Sequence, residues 1–181
     1  MGAESSRLRE QAAAVRSAAH VDLTLHLITD DALPCLCQAI AGSRTLTRLT
    51  LSRNLIRDSG AQYIALAVAR STTLQVLDLS WNAIGSPGAI ALAEALTLNR
   101  SLRTLNLFGN RIGDDGAEVI ERAIEASVSR SHLTSIDLGF NGIRSGLLDR
   151  LSKTMAQRQR RIRKRVEEAG ATRTRSSSVR A

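Results

Sequence analysis

The chain alternates between two kinds of apolar spacing. The pattern L-x-x-L-x-L-x-x-N-x-I occurs from Leu46 to Ile56, from Leu74 to Ile84 and from Leu102 to Ile112, and again from Leu133 to Ile143 with Ile136 as its second apolar residue. Within a copy, Leu49 and Leu51 are separated by one polar position, which turns both to one face of a short strand. Helical spacing follows: Ala61, Ile64, Ala65 and Val68, then Ala89, Leu92, Ala93 and Leu96, then Ala117, Ile120 and Ile124. The pattern predicts strand–turn–helix units. The asparagines Asn54, Asn82 and Asn110 are 28 residues apart, Asn141 follows after 31, and Gly60, Gly88 and Gly116 stand six residues after the first three. A fixed period of this length marks stacked repeats. One such unit cannot bury its apolar face alone, whereas a stack builds a continuous core.

These copies resemble the leucine-rich repeat in its ribonuclease-inhibitor-like subtype, which also occurs in NOD-like receptors and Ran GTPase-activating proteins. The resemblance covers roughly residues 18–156. It implies a short right-handed α/β solenoid, a horseshoe arc with parallel strands on the concave face and helices outside. It also implies a non-enzymatic protein-binding role. Asn54, Asn82, Asn110 and Asn141 are expected to turn inward and bond the backbone groups that each turn leaves unpaired.

Residues 18–45 read as a worn first repeat. Val21, Leu23 and Ile28 lie 28 residues before Leu49, Leu51 and Ile56, but His26 replaces the asparagine. Repeats are expected at 46–73, 74–101, 102–132 and 133–156, the last worn as well, with Gly146 only five residues after Asn141. Residues 1–17 form a tail and a capping helix, with Ser5 or Ser6 as its N-cap.

The helix of the last repeat carries Leu148, Leu151, Met155, Ile162 and Val166 on one face. A basic helical extension is therefore expected over 157–169, ended by Gly170. A polar, disordered tail is expected over 170–181.

Charge changes this picture at one end only. Residues 1–152 carry 15 Lys and Arg against 15 Asp and Glu, while residues 153–181 carry 10 against 2. The net charge of +8 thus belongs to the C-terminal segment. Arg158, Arg160, Arg161, Arg163, Lys164 and Arg165 form its basic tract. The tract fits a nuclear-import signal, a nucleic-acid backbone, an anionic membrane or an acidic partner, and equally a solvated end that keeps the solenoid soluble. No aromatic interleaves with it, so base stacking is not supported.

The partner surface is expected on the concave face, at the positions between the leucines. These are Arg53, Asp78, Trp81, Asn106, Phe108, Asp137 and Phe140. Three of the four aromatic residues of the chain fall there, beside carboxylates, as in binding hot spots. The competing reading packs these rings against the turn of the neighbouring repeat.

Two short motifs lie at the ends. Met1-Gly2-Ala3-Glu4-Ser5-Ser6 matches the N-myristoylation pattern, with Gly2 as acceptor. Arg173-x-Arg175-x-x-Ser178 matches a basophilic kinase site at Ser178. No catalytic constellation, phosphate-cradling loop, metal cluster or cofactor motif is apparent. Cys35 and Cys37 face different sides of a helix and read as structural.

The expectation is a cytoplasmic adaptor or scaffold subunit with protein partners and no small-molecule substrate. The alternatives are a peripheral membrane protein held by a Gly2 lipid and the basic tail, and an RNA-associated factor.

Overall fold

Five three-residue strands form one parallel sheet in chain order: β1 His20–Asp22, β2 Arg48–Thr50, β3 Val76–Asp78, β4 Thr104–Asn106 and β5 Ser135–Asp137. The computed structural model describes residues 2–127 and 131–178, with side chains over 7–127 and 131–168. Leu49 pairs with Val21 on one side and Leu77 on the other, so the sheet register steps by one sequence repeat. The step becomes 31 residues at Thr104 and Ser135. In the sequence the three additional residues fall between Ser127 and Leu133.

The helices are α1 Gly2–Ser17, α2 Leu33–Gly42, α3 Asp58–Arg70, α4 Ser86–Leu98, α5 Gly113–Ala126 and α6 Ser145–Ser178. The core lies between sheet and helices. Leu49, Leu51, Leu77, Leu79, Leu105 and Leu107 enter it from the strands; Ile64, Leu92, Ile120 and the inward alanines enter it from the helices. The motif glycine is set by how closely these helices approach. A Cβ on Gly88 would lie 2.8 Å from Asp58 Oδ1 and 2.9 Å from Ala61 Cβ. Gly146, displaced by one position in the last repeat, has nothing within 4 Å.

The asparagines tie each repeat to the one before it. Asn110 Nδ2 donates to the carbonyls of Leu107 and Leu79 at 2.9 and 3.0 Å, and its Oδ1 accepts from the Ile84 amide at 3.0 Å. Asn54, Asn82 and Asn141 repeat these bonds. Each asparagine reaches backward, and the first repeat has no predecessor. That is why His26 can replace it: its Nδ1 meets only the Thr24 carbonyl within its own turn.

Two further ladders share the 28-residue period. Asp58 Oδ1 accepts from the amides of Gly85 and Gly88 at 2.7 and 3.0 Å, capping the next helix, α4. Asp30 serves Arg57 in the same way, and Asp114 serves Arg144. Arg144 holds the Asp114 carboxyl below the ordinary aspartate range, chiefly through its backbone amide. At the other end of the helices Ser43, Ser71, Asn99 and Ser127 are all buried.

The ends differ from the sequence expectation in two places. α1 begins at Gly2, so Ser5 and Ser6 lie within it and neither is an N-cap; Val15 and Ala12 seat it on the first repeat. α6 runs through Gly170 to Ser178 rather than ending there. One glycine costs a helix interior about 1 kcal/mol, which does not by itself stop a long helix. Residues 179–181 and the side chains of the expected tail lie outside the described residues.

Candidate functional site

The sheet carries the predicted aromatic residues to one place. Trp81 and Phe108 meet edge to face with centroids 5.4 Å apart, and Phe108 and Phe140 lie 5.1 Å apart. Trp81 and Phe140 complete the triangle at 6.5 Å. The Arg53 guanidinium sits 5.6 Å from the Trp81 ring centroid, in cation–π range. One ring from each of three successive repeats and one cation thus form a continuous ridge. Trp81 is 47% exposed and Phe140 77%. Such a ridge offers large, rigid contact area at low entropic cost.

The backbone explains the presentation. Leu25, Arg53, Trp81, Gly109 and Phe140 occupy the same motif position, and all have positive φ, between 54° and 70°. This left-handed turn ends each strand and lifts the side chain out of the core. Gly109 answers a further demand: a Cβ there would come within 2.8 Å of the Trp81 ring. Likewise a Cβ on Gly139 would lie 2.8 Å from the Phe108 ring. Trp81 and Phe108 therefore each lie across the turn of the following repeat while keeping an outer surface.

The polar members are less available than their positions suggest. Asp78 Oδ1 accepts from the Ser80 amide at 2.8 Å and its Oδ2 from Asn106 Nδ2 at 3.1 Å. Asn106 Oδ1 accepts from the Phe108 amide, and Asp137 Oδ1 from Gly139. These are local turns in which the side chain bonds the amide two residues on. Their first task is to shape the strand ends; of the three, Asp137 is the exposed one.

Arg158 does not belong to the basic surface. It is 1% exposed. Its Nε donates to the Leu133 carbonyl at 2.8 Å, Nη1 to the Ile124 carbonyl at 2.6 Å and Nη2 to the Ser131 carbonyl at 2.9 Å. Burial lowers its pKa from the ordinary arginine value. Spacing could not separate Arg158 from its neighbours, because the carbonyls that receive it lie 25 to 34 residues away. Arg160, Arg161, Arg163, Lys164 and Arg165 are exposed, with Arg163 and Lys164 near Glu167 and Glu168 one turn on.

Other surface features were missed by sequence reasoning. Leu25, Leu27 and Leu55, in the first two repeats, are all more than half exposed. Leu25 shares its motif position with Trp81, a signal visible in the period. On the helix side, Leu66, Ile90 and Leu98 line a groove of about 430 Å³ between α3 and α4. Gly2 is the first residue of α1 and Ser178 the last of α6; the Ser178 side chain is outside the described residues. Among the described residues no group of His, Cys, Asp and Glu is arranged to hold a metal, and no helix is long and apolar enough to cross a membrane.

A family model described as leucine rich repeat matches residues 42–65, 70–93, 98–120 and 130–146. Residues 42–146 thus carry four leucine-rich repeats. No curated protein matches the sequence significantly. Among solved structures, the leucine-rich-repeat arc is similar to one described as leiomodin-1 actin-binding site 2, with a TM-score of 0.75 at 20% identity, covering 92% of this chain and 96% of that one. It is also similar to a tropomodulin C-terminal domain from Caenorhabditis elegans, with a TM-score of 0.73 at 18% identity and coverages of 89% and 98%. At these identities the likeness is one of fold.

Proposed function

We propose that this chain is a non-enzymatic protein-binding module, an adaptor or scaffold subunit of a larger assembly in the cytoplasm. In this reading the ridge of Arg53, Trp81, Phe108 and Phe140 is its docking surface. The observation that carries it is the mutual contact of three partly exposed rings from three repeats. Packing against the next turn accounts for where Trp81 and Phe108 sit. It does not account for Phe140, the most exposed of the three. Asp78, Asn106 and Asp137 surround the rings with a polar rim, and the exposed arginines of α6 supply a second contact. The 28-residue period supports the ribonuclease-inhibitor-like subtype. Actin is a natural first candidate, because one of the similar structures is described as an actin-binding site.

The test compares three folded proteins: the full chain, a Trp81→Ala/Phe140→Ala variant, and an Arg160→Glu/Arg161→Glu/Arg163→Glu variant. Actin co-sedimentation and quantitative capture from extract are the readouts, with circular dichroism as the folding control. Loss of the principal protein partners in the ring variant, with the fold intact, is the expected result. Full retention by the ring variant would refute the docking surface. Retention there together with salt-sensitive loss in the arginine variant would move the function to α6.

A further inference from the structure

The strand ladder has an open end. β5 pairs with β4 and forms the last strand of the sheet. One repeat back, the amides of Leu107 and Gly109 donate to the carbonyls of Asp137 and Gly139, at 2.9 Å each. Leu138 and Phe140 hold the same motif positions in the final repeat, where among the described residues no sixth strand offers them carbonyls.

The start of the same edge is closed. The Arg103 carbonyl accepts from the amides of Thr134 and Ser135, as the next strand begins. Its counterpart in the last repeat is Thr134, and there Gln159 Nε2 donates to the carbonyl at 2.6 Å. α6 thus replaces a following repeat at the beginning of β5 and leaves its end uncovered. Beside the uncovered part runs a groove of about 360 Å³ between β5 and α6, lined by Ile136, Leu138, Leu148, Leu151 and Met155.

The rings follow the same rule. Trp81 lies over Gly109 and Phe108 over Gly139. Phe140 has no following turn to lie on and stands 77% exposed.

We propose that this end of the arc takes an extended peptide as a sixth, parallel strand. The peptide places apolar residues in the groove and a small residue beneath Phe140. It carries acidic residues ahead of the strand. The last element follows from charge and direction. A parallel strand starts at the Thr134 end, where α6 passes and continues as exposed turns bearing Arg160, Arg161, Arg163 and Lys164. Over 159–168 the helix has five basic residues against two glutamates. Residues upstream of the added strand run beside those turns. Strand addition draws its affinity from main-chain hydrogen bonds and its selectivity from alternate side chains. The inference shares Phe140 and the exposed arginines of α6 with the reading above; its strand edge and groove are independent of the ring surface.

The probe is a labelled peptide with a short acidic block followed by Ser-Ile-Thr-Leu-Gly-Gly, titrated against the full chain by fluorescence anisotropy. Saturable binding is expected. N-methylation of the strand amides that face the β5 edge should weaken it at least about tenfold, roughly the loss of one or two hydrogen bonds. N-methylation of the intervening amides should leave it unchanged. Moving the acidic block behind the strand, Phe140→Asn, and Arg160→Glu/Arg163→Glu should each weaken it too. Trp81→Ala should leave peptide binding intact, which separates failure of this site from failure of the ring surface. Absence of saturable binding, or indifference to N-methylation, would overturn the proposal. So would a concentration-dependent dimer of the full chain abolished by Phe140→Asn, which would give the edge to a second copy.

Discussion

Arg158 Nη1 reaches the Ser127 hydroxyl at 3.3 Å and Nη2 its carbonyl at 3.4 Å. Two repeats earlier, Asn99 Nδ2 donates to the Ser71 and Val68 carbonyls at 2.9 and 2.6 Å. With the three-residue insertion counted, Arg158 stands where Asn99 stands. It caps the preceding helix as Asn99 does, but its own helix does not end there. α5 is capped and α6 runs on past the body of the domain through the same residue.

Arg158→Ala should destabilise the chain by about 3 kcal/mol or more, because the carbonyls of Leu133, Ile124 and Ser131 would each lose a charged donor. Arg160→Ala, two residues on and exposed, should change stability by less than about 0.5 kcal/mol. Chemical denaturation of both variants provides the comparison. Equal midpoints would show that the buried guanidinium does not hold the last repeat.

The asparagine ladder predicts a polarity along the stack. Asn110→Ala removes a group that joins two turns, and should cost about 2–3 kcal/mol. His26→Ala, at the same motif position with no repeat before it, should cost less than about 1 kcal/mol. Thermal melts of the two variants decide this; similar losses would contradict the account of the worn first repeat.

Gly109→Ala tests the seat of the aromatic ridge. The substitution combines a positive φ of 70° with a Cβ 2.8 Å from the Trp81 ring. The backbone contribution alone is about 1–2 kcal/mol. Trp81 is the single tryptophan of the chain, so its emission reports directly on the ring. A shifted emission maximum and a lowered Tm are expected, whereas an unchanged spectrum would mean that Gly109 does not seat the ring.

The two thiols should behave differently. Burial pushes the Cys37 thiol up to about 12, while Cys35 is exposed. An aromatic disulfide reagent at mildly alkaline pH should label one thiol in the folded chain and both in denaturant. The raised value also carries a linkage. Cys37 contributes stability that is complete below its ordinary pKa of 9.0 and is lost as pH rises toward 12. Cys37→Ala should therefore flatten the alkaline limb of the stability profile; an identical limb would show that burial does not shift this thiol.

The repeat period by itself determined the units, their number and the sheet register, because strand pairing joins each residue to its equivalent one period away. Alternation at Leu49 and Leu51 set the inner face, and the asparagine spacing set the turns. Tertiary structure decided what each exposed or buried group meets across repeats. Arg158 and Arg160 lie in one basic run, yet one is buried against carbonyls up to 34 residues away and the other faces solvent. The same holds for Asp58, whose capping of α4 is written in the period but becomes recognisable only when two helices come close. Trp81 and Phe140 share one motif position and Phe108 holds the position before it. Their contact and the exposure of Phe140 depend on where the stack ends. Local spacing encodes which face a side chain takes; stacking distance and the end of the ladder decide what lies opposite it.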